Sequence, residues 1–438
     1  MKKLFCIIMA AALLLPLAAC AGKGTEDANN SPGGTAAPGI TEAPESTGKP
    51  VSAHTGPDYD NRFGMNLDNL IETEDAYYFR SFDSCWLYYY YYDKASGERG
   101  VLCAKPECMH DEGKGDSSCN GLVAVTGTTV NYWDGRIHYR SNSGPKMALF
   151  SVALDGSDKQ VDLTIDDSVT MSGITPQRLD YHRGMLYGYD INSVVRDGEP
   201  YKQMIIFSID PETGEFREIY SALNNDGGIT APYLVYKQNF VYISYDDYSV
   251  DEDYKLVDLT WHLLRWNIDT EEMEEVAAAN SEELNDTSLE HRIFVGDDGR
   301  VWFVPRSNMA APLKVYLLED GSISEAFSFD TTGACFMIQG AAVTIFMFEE
   351  RWEARRLDGS LIWEGELDTS WLDGLDEERS YTLDGISSLM GTPEEIFISF
   401  GLEGSDGAER YCLVRYDMTG EKPVPTVIAN ARCTASSK

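Results

Sequence analysis

The sequence predicts an all-β protein, a β-propeller of four-stranded antiparallel blades, with seven the favoured count and six or eight as alternatives. Three observations carry this. Short runs of β-branched and aromatic residues recur between tight Asp-Gly turns. A strand-turn pattern ending in an acidic turn residue occurs seven times. Helical periodicity is nearly absent. Such blades bury their faces only by stacking around a common axis. The competing arrangement, a two-sheet sandwich, also shows short strands at regular spacing but needs longer crossovers.

The chain opens with MKKLFCIIMAAALLLPLAAC. A basic start, an apolar run and small residues before Cys20 read as an export signal over residues 1–19. Residues 20–57 are rich in Gly, Pro, Ser, Thr and Ala, too poor in large apolar side chains to fold, and read as a tether. Residues 58–438 form the folded part, with no apolar segment long enough to cross a bilayer as a helix.

The clearest blade is TTVNYWDGRIHYRSNSGPKMALFSVALDGSDKQVDLT, residues 128–164. Asp134-Gly135 and Asp155-Gly156 supply the positive φ angles of tight turns. Four strands follow, at 128–133, 136–141, 147–153 and 158–164. The layout returns at 292–329, with Asp320-Gly321 in the place of Asp155-Gly156. Weaker copies complete a set whose turn aspartates are Asp93, Asp155, Asp210, Asp269, Asp320, Asp358 and Asp417. Their separations are 62, 55, 59, 51, 38 and 59 residues. A four-stranded blade with its loops needs about 40 to 50 residues, so nearly every interval holds one blade and extra loop. The ends, near 58–75 and 425–438, could share a blade. Two segments read as helical decoration: 271–286 as a short acidic surface helix, and 371–380 as a turn or two.

Composition narrows function. There are 72 acidic against 35 basic residues, a formal net charge of −37. Phosphate recognition needs a basic footprint, which excludes nucleic acid as a partner. Anionic bilayer surfaces repel such a domain, so membrane contact falls to an anchor.

The sharpest chemical cluster is LCAKPECMHDEGKGDSSCN, residues 102–120. Cys108 and His110 point the same way if the segment is extended. A turn at Pro106 brings Cys103 round, and Cys119 returns after the loop 113–115. Three thiolates and an imidazole form a closed tetrahedral set of the kind structural zinc prefers. An exported chain also permits disulfides, and Cys85 supplies a fourth thiol, so Cys85, Cys103, Cys108 and Cys119 could make two bridges. Either way the role is structural, stapling a long inter-blade loop. Cys335, Cys412 and Cys433 are scattered, and Cys412 reads as a small buried hydrophobe.

The aromatic run from Trp86 to Tyr92 places Tyr88, Tyr90 and Tyr92 on one face of a strand, Tyr89 and Tyr91 on the other. It reads as packing between blades, with a ligand-stacking surface as the alternative. The acidic loop 245–254 joins Tyr245, Asp246, Asp247 and Tyr248, a mixture that could contact a cation or carbohydrate. His138 and His182 read as ordinary packed or exposed residues. No nucleophile elbow, phosphate-binding loop or paired-histidine helix is present in the sequence.

The ending Leu17-Ala18-Ala19-Cys20 resembles the lipobox of bacterial lipoproteins, which implies diacylglyceryl attachment at Cys20. Together with the tether, the Asn-Tyr-Trp-Asp-Gly-Arg-Ile-His-Tyr blade opening, the Leu-Asp-Gly turns and the Leu-Cys-x-Lys-Pro-Glu-Cys-x-His segment, the chain resembles uncharacterised Gram-positive-type lipoproteins with TolB-like or YWTD-like propellers. No blade carries a strict Tyr-Trp-Thr-Asp. The resemblance implies a propeller held at the outer face of the cell membrane by its acyl anchor, and it imports no catalytic residue.

The resulting expectation is a monomeric, non-enzymatic binding or interaction module for a protein or glycan partner, with zinc as the one cofactor the residues suggest. A carbohydrate-active hydrolase or lyase with carboxylates at the channel mouth is the alternative.

Overall fold

The computed structural model describes residues 70–433, apart from 84–85, 109, 111–118, 124–129, 144–145, 167–168, 170–175, 254, 285–288, 306, 309–311, 331–332, 347–350, 377–379, 406 and 408. Cys20, the tether and Cys85 lie outside the described residues.

Seven antiparallel sheets follow one another along the chain as the blades of a propeller. Blade 1 comprises Leu70–Glu72, Ala76–Asp83, Trp86–Asp93 and Arg99–Val101, and Leu122–Val123 also pairs with its third strand. Blade 2 is Asn131–Trp133, Arg136–Ser143, Lys146–Ala153 and Gln160–Ile165; blade 3 is Arg178–His182, Met185–Arg196, Glu199–Ile209 and Phe216–Asn224. In blade 4 the inner strand is split into Gly227–Ile229 and Tyr233–Lys237, followed by Phe240–Val250, Leu256–Asn267 and Glu272–Asn280. Blade 5 runs His291–Val295, Val301–Pro305, Leu313–Glu319 and Ser322–Phe329. Blade 6 runs Gly333–Ile338, Ala341–Phe346, Arg351–Arg356 and Leu361–Glu366; blade 7 runs Tyr381–Thr392, Glu395–Gly404, Glu409–Asp417 and Val424–Cys433.

All seven turn aspartates fall at the hairpin between third and fourth strands, or one residue from it. In five of these turns the aspartate accepts backbone N–H groups ahead of it: Asp93 from Ser96 at 2.7 Å, Asp155 from Ser157 at 2.8 Å, Asp210 from Glu212 at 2.8 Å, Asp358 from Ser360 at 2.8 Å and Asp417 from Thr419 at 3.0 Å. This is the Asx-turn chemistry that makes Asp a turn residue. Blade 4 departs from it, because Asn267 rather than Asp269 accepts the N–H groups of Asp269 and Thr270. In blade 5, Asp320 and Gly321 both take positive φ, 50° and 73°, as a two-residue hairpin turn requires.

Packing between blades follows from side-chain alternation. Neighbouring side chains on one strand face opposite blades. Phe303 packs with Trp261 of blade 4, ring centroids 4.1 Å apart, while the adjacent Trp302 packs with Cys335 and Met337 of blade 6. The tyrosine run works alike. Tyr89 lies 4.7 Å from Tyr139 of blade 2, whereas Tyr90 and Tyr92 pack into the seam with blade 7. Every adjacent pair of blades, including blades 7 and 1, has its own buried apolar cluster.

Among the described residues the four main strands of each blade are consecutive in the chain, and Ser307–Asn308, from between the second and third strands of blade 5, pairs with the inner strand of blade 6. Of the ends expected to share a blade, 58–69 and 434–438 lie outside the described residues; among the described ones Leu70–Glu72 belongs to blade 1 and Val424–Cys433 to blade 7. The ring closes through side chains, with Leu70, Tyr77 and Phe79 against Met390, Phe397 and Leu413. The Tyr77 hydroxyl donates to Glu395 at 2.9 Å, and Arg99 donates to the Val427 carbonyl at 2.8 Å.

The acidic segment 271–286 is mostly not helical. Glu272–Asn280 is the outer strand of blade 4, and among the described residues of the segment only Ser281–Leu284 forms a helical turn. Glu272, Glu274 and Glu275 are all exposed on this outermost strand, and these are the glutamates that suggested a surface helix. The segment near 371–380 contains a short 3-10 turn, Ser370–Gly374.

Phe397 is fully buried in the closing seam. Phe397→Ala is expected to lower unfolding free energy by about 3–5 kcal/mol, read from urea denaturation. The turn aspartates Asp93, Asp155 and Asp417 are held below the usual carboxylate range, for Asp93 chiefly by the Ser96 N–H, and for Asp155 and Asp417 chiefly by the hydroxyls of Ser157 and Thr419. Because the folded value is the lower one, this stabilisation is complete above the unfolded value near ~3.9 and is lost as pH falls through the folded value. Asp417→Asn keeps the turn acceptor, as Asn267 does, and should make melting temperature less steeply dependent on pH below ~4.

Candidate metal centre and channel mouth

The outer strand of blade 1 is interrupted. Arg99–Val101 pairs with Tyr90–Tyr92, and Leu122–Val123 pairs with Leu87 and Tyr88. Between them, Tyr89 bonds both sides of the break, its carbonyl accepting from Leu102 N and its N–H donating to Gly121 O, each at 2.8 Å. Residues 102–121 are thus an insertion within one strand, not a loop between blades. Cys103, Cys108, His110 and Cys119 all lie in it.

A turn over Pro106 and Glu107 is closed by Cys108 N donating to Lys105 O at 3.1 Å. His110 has φ of 52°. The segment is therefore not extended at His110; a left-handed residue swings the imidazole back. Its Nδ1 lies 3.1 Å from Cys108 Sγ and 3.6 Å from Cys119 Sγ. Cys103 Sγ accepts from Asn120 N at 3.4 Å. The four donor atoms lie within 4.8 Å of one another. Four ligands at Zn–S distances of about 2.3 Å would stand about 3.8 Å apart, so this donor set fits a tetrahedral divalent ion. Cys103, Cys108 and Cys119 carry free thiols.

The thiols of the cluster differ in their surroundings. Burial and the neighbouring Cys103 push the Cys119 thiol up to about 12. Burial opposes ionisation of Cys103 too, but the N–H groups of Lys105 and Asn120 hold that thiol below its ordinary value. Three thiolates around a divalent ion leave one negative charge. Lys159 of blade 2 stands beside it, donating to Cys119 O at 3.3 Å and Leu122 O at 3.0 Å. The insertion also docks on the Asp155-Gly156 turn, where Gly156 O accepts from Ala104 N at 3.0 Å and from Asn120 Nδ2 at 2.8 Å.

A second feature lies on the axis. A cavity of about 630 Å³ is lined by inner strands and their following turns from blades 3 to 7. Its walls include Arg178, Tyr236, Lys237, Phe294, Asp297, Asp298, Trp302, Gln339 and Glu394. Arg178 is paired with the fully buried Asp180, which also accepts from Tyr236 Oη at 3.0 Å. At the rim, Asp297 is highly exposed and pairs with Lys237 at 2.5 Å. The N–H and guanidinium of Arg300 hold Asp298 below the usual carboxylate range.

The segment Tyr245 to Tyr248 is not in a loop. It belongs to the second strand of blade 4, Phe240–Val250. Tyr245 and Asp246 are buried. Asp246 accepts from His291 Nδ1 and Glu290 N, both at 2.6 Å, and Tyr245 Oη lies 2.8 Å from Tyr220 Oη. Asn224 donates to Asp247. The Tyr248 ring packs against Gly228. His138 and His182 are packed residues, the first bonded to Asp162 at 3.0 Å and the second to Gln238 O at 2.5 Å. Cys412 is buried among apolar residues of blades 6 and 7.

Sequence reasoning did not single out the cavity residues. They come from five blades, and no local pattern marks them.

No protein-family model matches the chain, and comparison with curated proteins finds no match. Solved structures do share the fold. The polysaccharide lyase Uly1 is similar over 81% of this chain and 90% of its own, at 9% identity and a TM-score of 0.47. The β-propeller domain of the Trilobed protease from Pyrococcus furiosus covers 68% and 95%, at 12% identity and 0.36. TolB from Acinetobacter baumannii covers 67% and 77%, at 11% and 0.28. The likeness is one of fold, and what those proteins act on says nothing of this chain.

Gly156 has φ of 78°, and a Cβ there would lie 2.5 Å from Cys103 N. Gly156→Ala should therefore unseat the insertion, costing about 1–3 kcal/mol. Faster labelling of Cys103 and Cys119 by a thiol reagent would be the accompanying signature.

Proposed function

We propose that this chain is a lipid-tethered, extracytoplasmic recognition module, anchored through Cys20, whose propeller offers the channel mouth to a ligand and whose blade 1 insertion is fastened by a structural zinc ion. The observation that carries the recognition reading is the state of the mouth carboxylates. General acid catalysis needs a carboxyl kept protonated near neutral pH, which burial normally provides. Here Asp297 and Glu394 are exposed and Asp298 is stabilised as a carboxylate. That arrangement supports binding over a hydrolase or lyase.

The zinc reading rests on the convergence of Cys103, Cys108, His110 and Cys119 at a break in a strand. A closed set of four protein ligands leaves no open position for substrate, as in structural sites. Zinc bound there joins the two halves of the outer strand across the insertion. Cys103, Cys108 and Cys119 supply thiolates, and His110 supplies the imidazole.

Two measurements test these readings. Native mass spectrometry of the purified chain should show about one zinc per chain, lost on denaturation and absent in Cys108→Ser. A mass deficit of two hydrogens per bridge without metal would replace zinc by disulfides. For the anchor, Cys20→Ala should abolish incorporation of labelled fatty acid and move the protein from membrane to soluble fractions; labelling that persists overturns it.

A further inference from the structure

Recognition by the channel mouth, the reading given above, acquires a chemical class from what lines the cavity. We infer that this cavity binds an uncharged saccharide unit, seated against Phe294 and Tyr236 and hydrogen-bonded by Gln339, Glu394 and Arg178.

A volume of about 630 Å³ falls in the range of ligand pockets that enclose most of a small molecule. A sugar ring is amphipathic. Its C–H faces pack on aromatic rings and its hydroxyls both donate and accept. The cavity sets aromatic walls beside an amide, a carboxylate and a guanidinium, which matches both properties. Phe294 is half-buried and tilted against Trp302, centroids 6.2 Å apart, so part of its ring faces the cavity. Trp302 is 6% exposed, and its indole N–H has no acceptor among the described residues.

Charge selects against anions. Arg178 is matched by Asp180, Lys237 by Asp297 and Arg300 by Asp298, which leaves Glu394 over at the rim of a strongly acidic protein. Uronates and sulfated sugars meet that excess, and neutral sugars do not.

The test applies the full chain, in detergent, to an array of neutral oligosaccharides, acidic oligosaccharides and lysine-rich peptides, with titration calorimetry on the strongest hit. Two variants accompany it, Phe294→Ala and the exposed-site Glu394→Ala, each checked for an unchanged melting temperature. Binding confined to neutral sugars, weakened about tenfold by Phe294→Ala and severalfold by Glu394→Ala, is the expected result. Sugar binding indifferent to both variants overturns this site but leaves the recognition reading standing. Preference for lysine-rich peptides or acidic sugars overturns the saccharide class assigned here. Cleavage of a bound sugar overturns the recognition reading while retaining the cavity, and silence across the whole array overturns both.

Discussion

A sheet of four strands with apolar side chains on both faces cannot be satisfied by one neighbour. That constraint shapes this molecule. Middle strands, such as Met185–Arg196 and Glu199–Ile209 of blade 3, alternate their buried side chains between blades 2 and 4, and the demand passes from blade to blade until the seventh meets the first. Large aromatic residues meet much of it, and Trp261, Trp352, Tyr89, Tyr139 and Phe397 are all buried side chains at these seams. Area removed from water contributes roughly 25 cal/mol per Å², so each seam stabilises two blades at once. On outer strands and turns, acidic residues such as Glu272, Glu274 and Asp320 are exposed to water.

The turns were the most legible part of the sequence, for a local reason. An aspartate that accepts N–H groups two or three residues ahead does so in any fold, so Asp93, Asp210 and Asp417 announce their hairpins without help from distant residues. The outer strand Glu272–Asn280 was illegible because its exposure depends on lying farthest from the axis, which no short window records. The cysteine–histidine cluster was half legible. Residue types and spacing brought three cysteines and a histidine into view, but the left-handed backbone at His110 and the strand break around Tyr89 belong to the folded chain alone. The cavity was silent in the sequence, being assembled from single positions on five blades.

Buried polar groups show where the propeller departs from a purely apolar core. Asp246 and His291 form a fully buried pair beneath Trp261 and Phe303, and Arg178 and Asp180 form another beside the cavity. Buried polar pairs of this kind are poor stabilisers relative to packed hydrocarbon, yet removing one partner leaves a buried polar group unsatisfied. They fix which strand sits against which, and the second pair gives the cavity a rigid wall.

Closure by side chains alone has a mechanical meaning. In a ring sealed by a shared strand, load is carried by a ladder of hydrogen bonds sheared together. Here the sealing joint is one apolar face backed by the bonds of Tyr77 and Arg99. Traction applied at Leu70 enters at the innermost strand of blade 1, directly at that joint. The circle therefore has a preferred place to part, and a pull on that strand would open it there first, like a bracelet at its clasp.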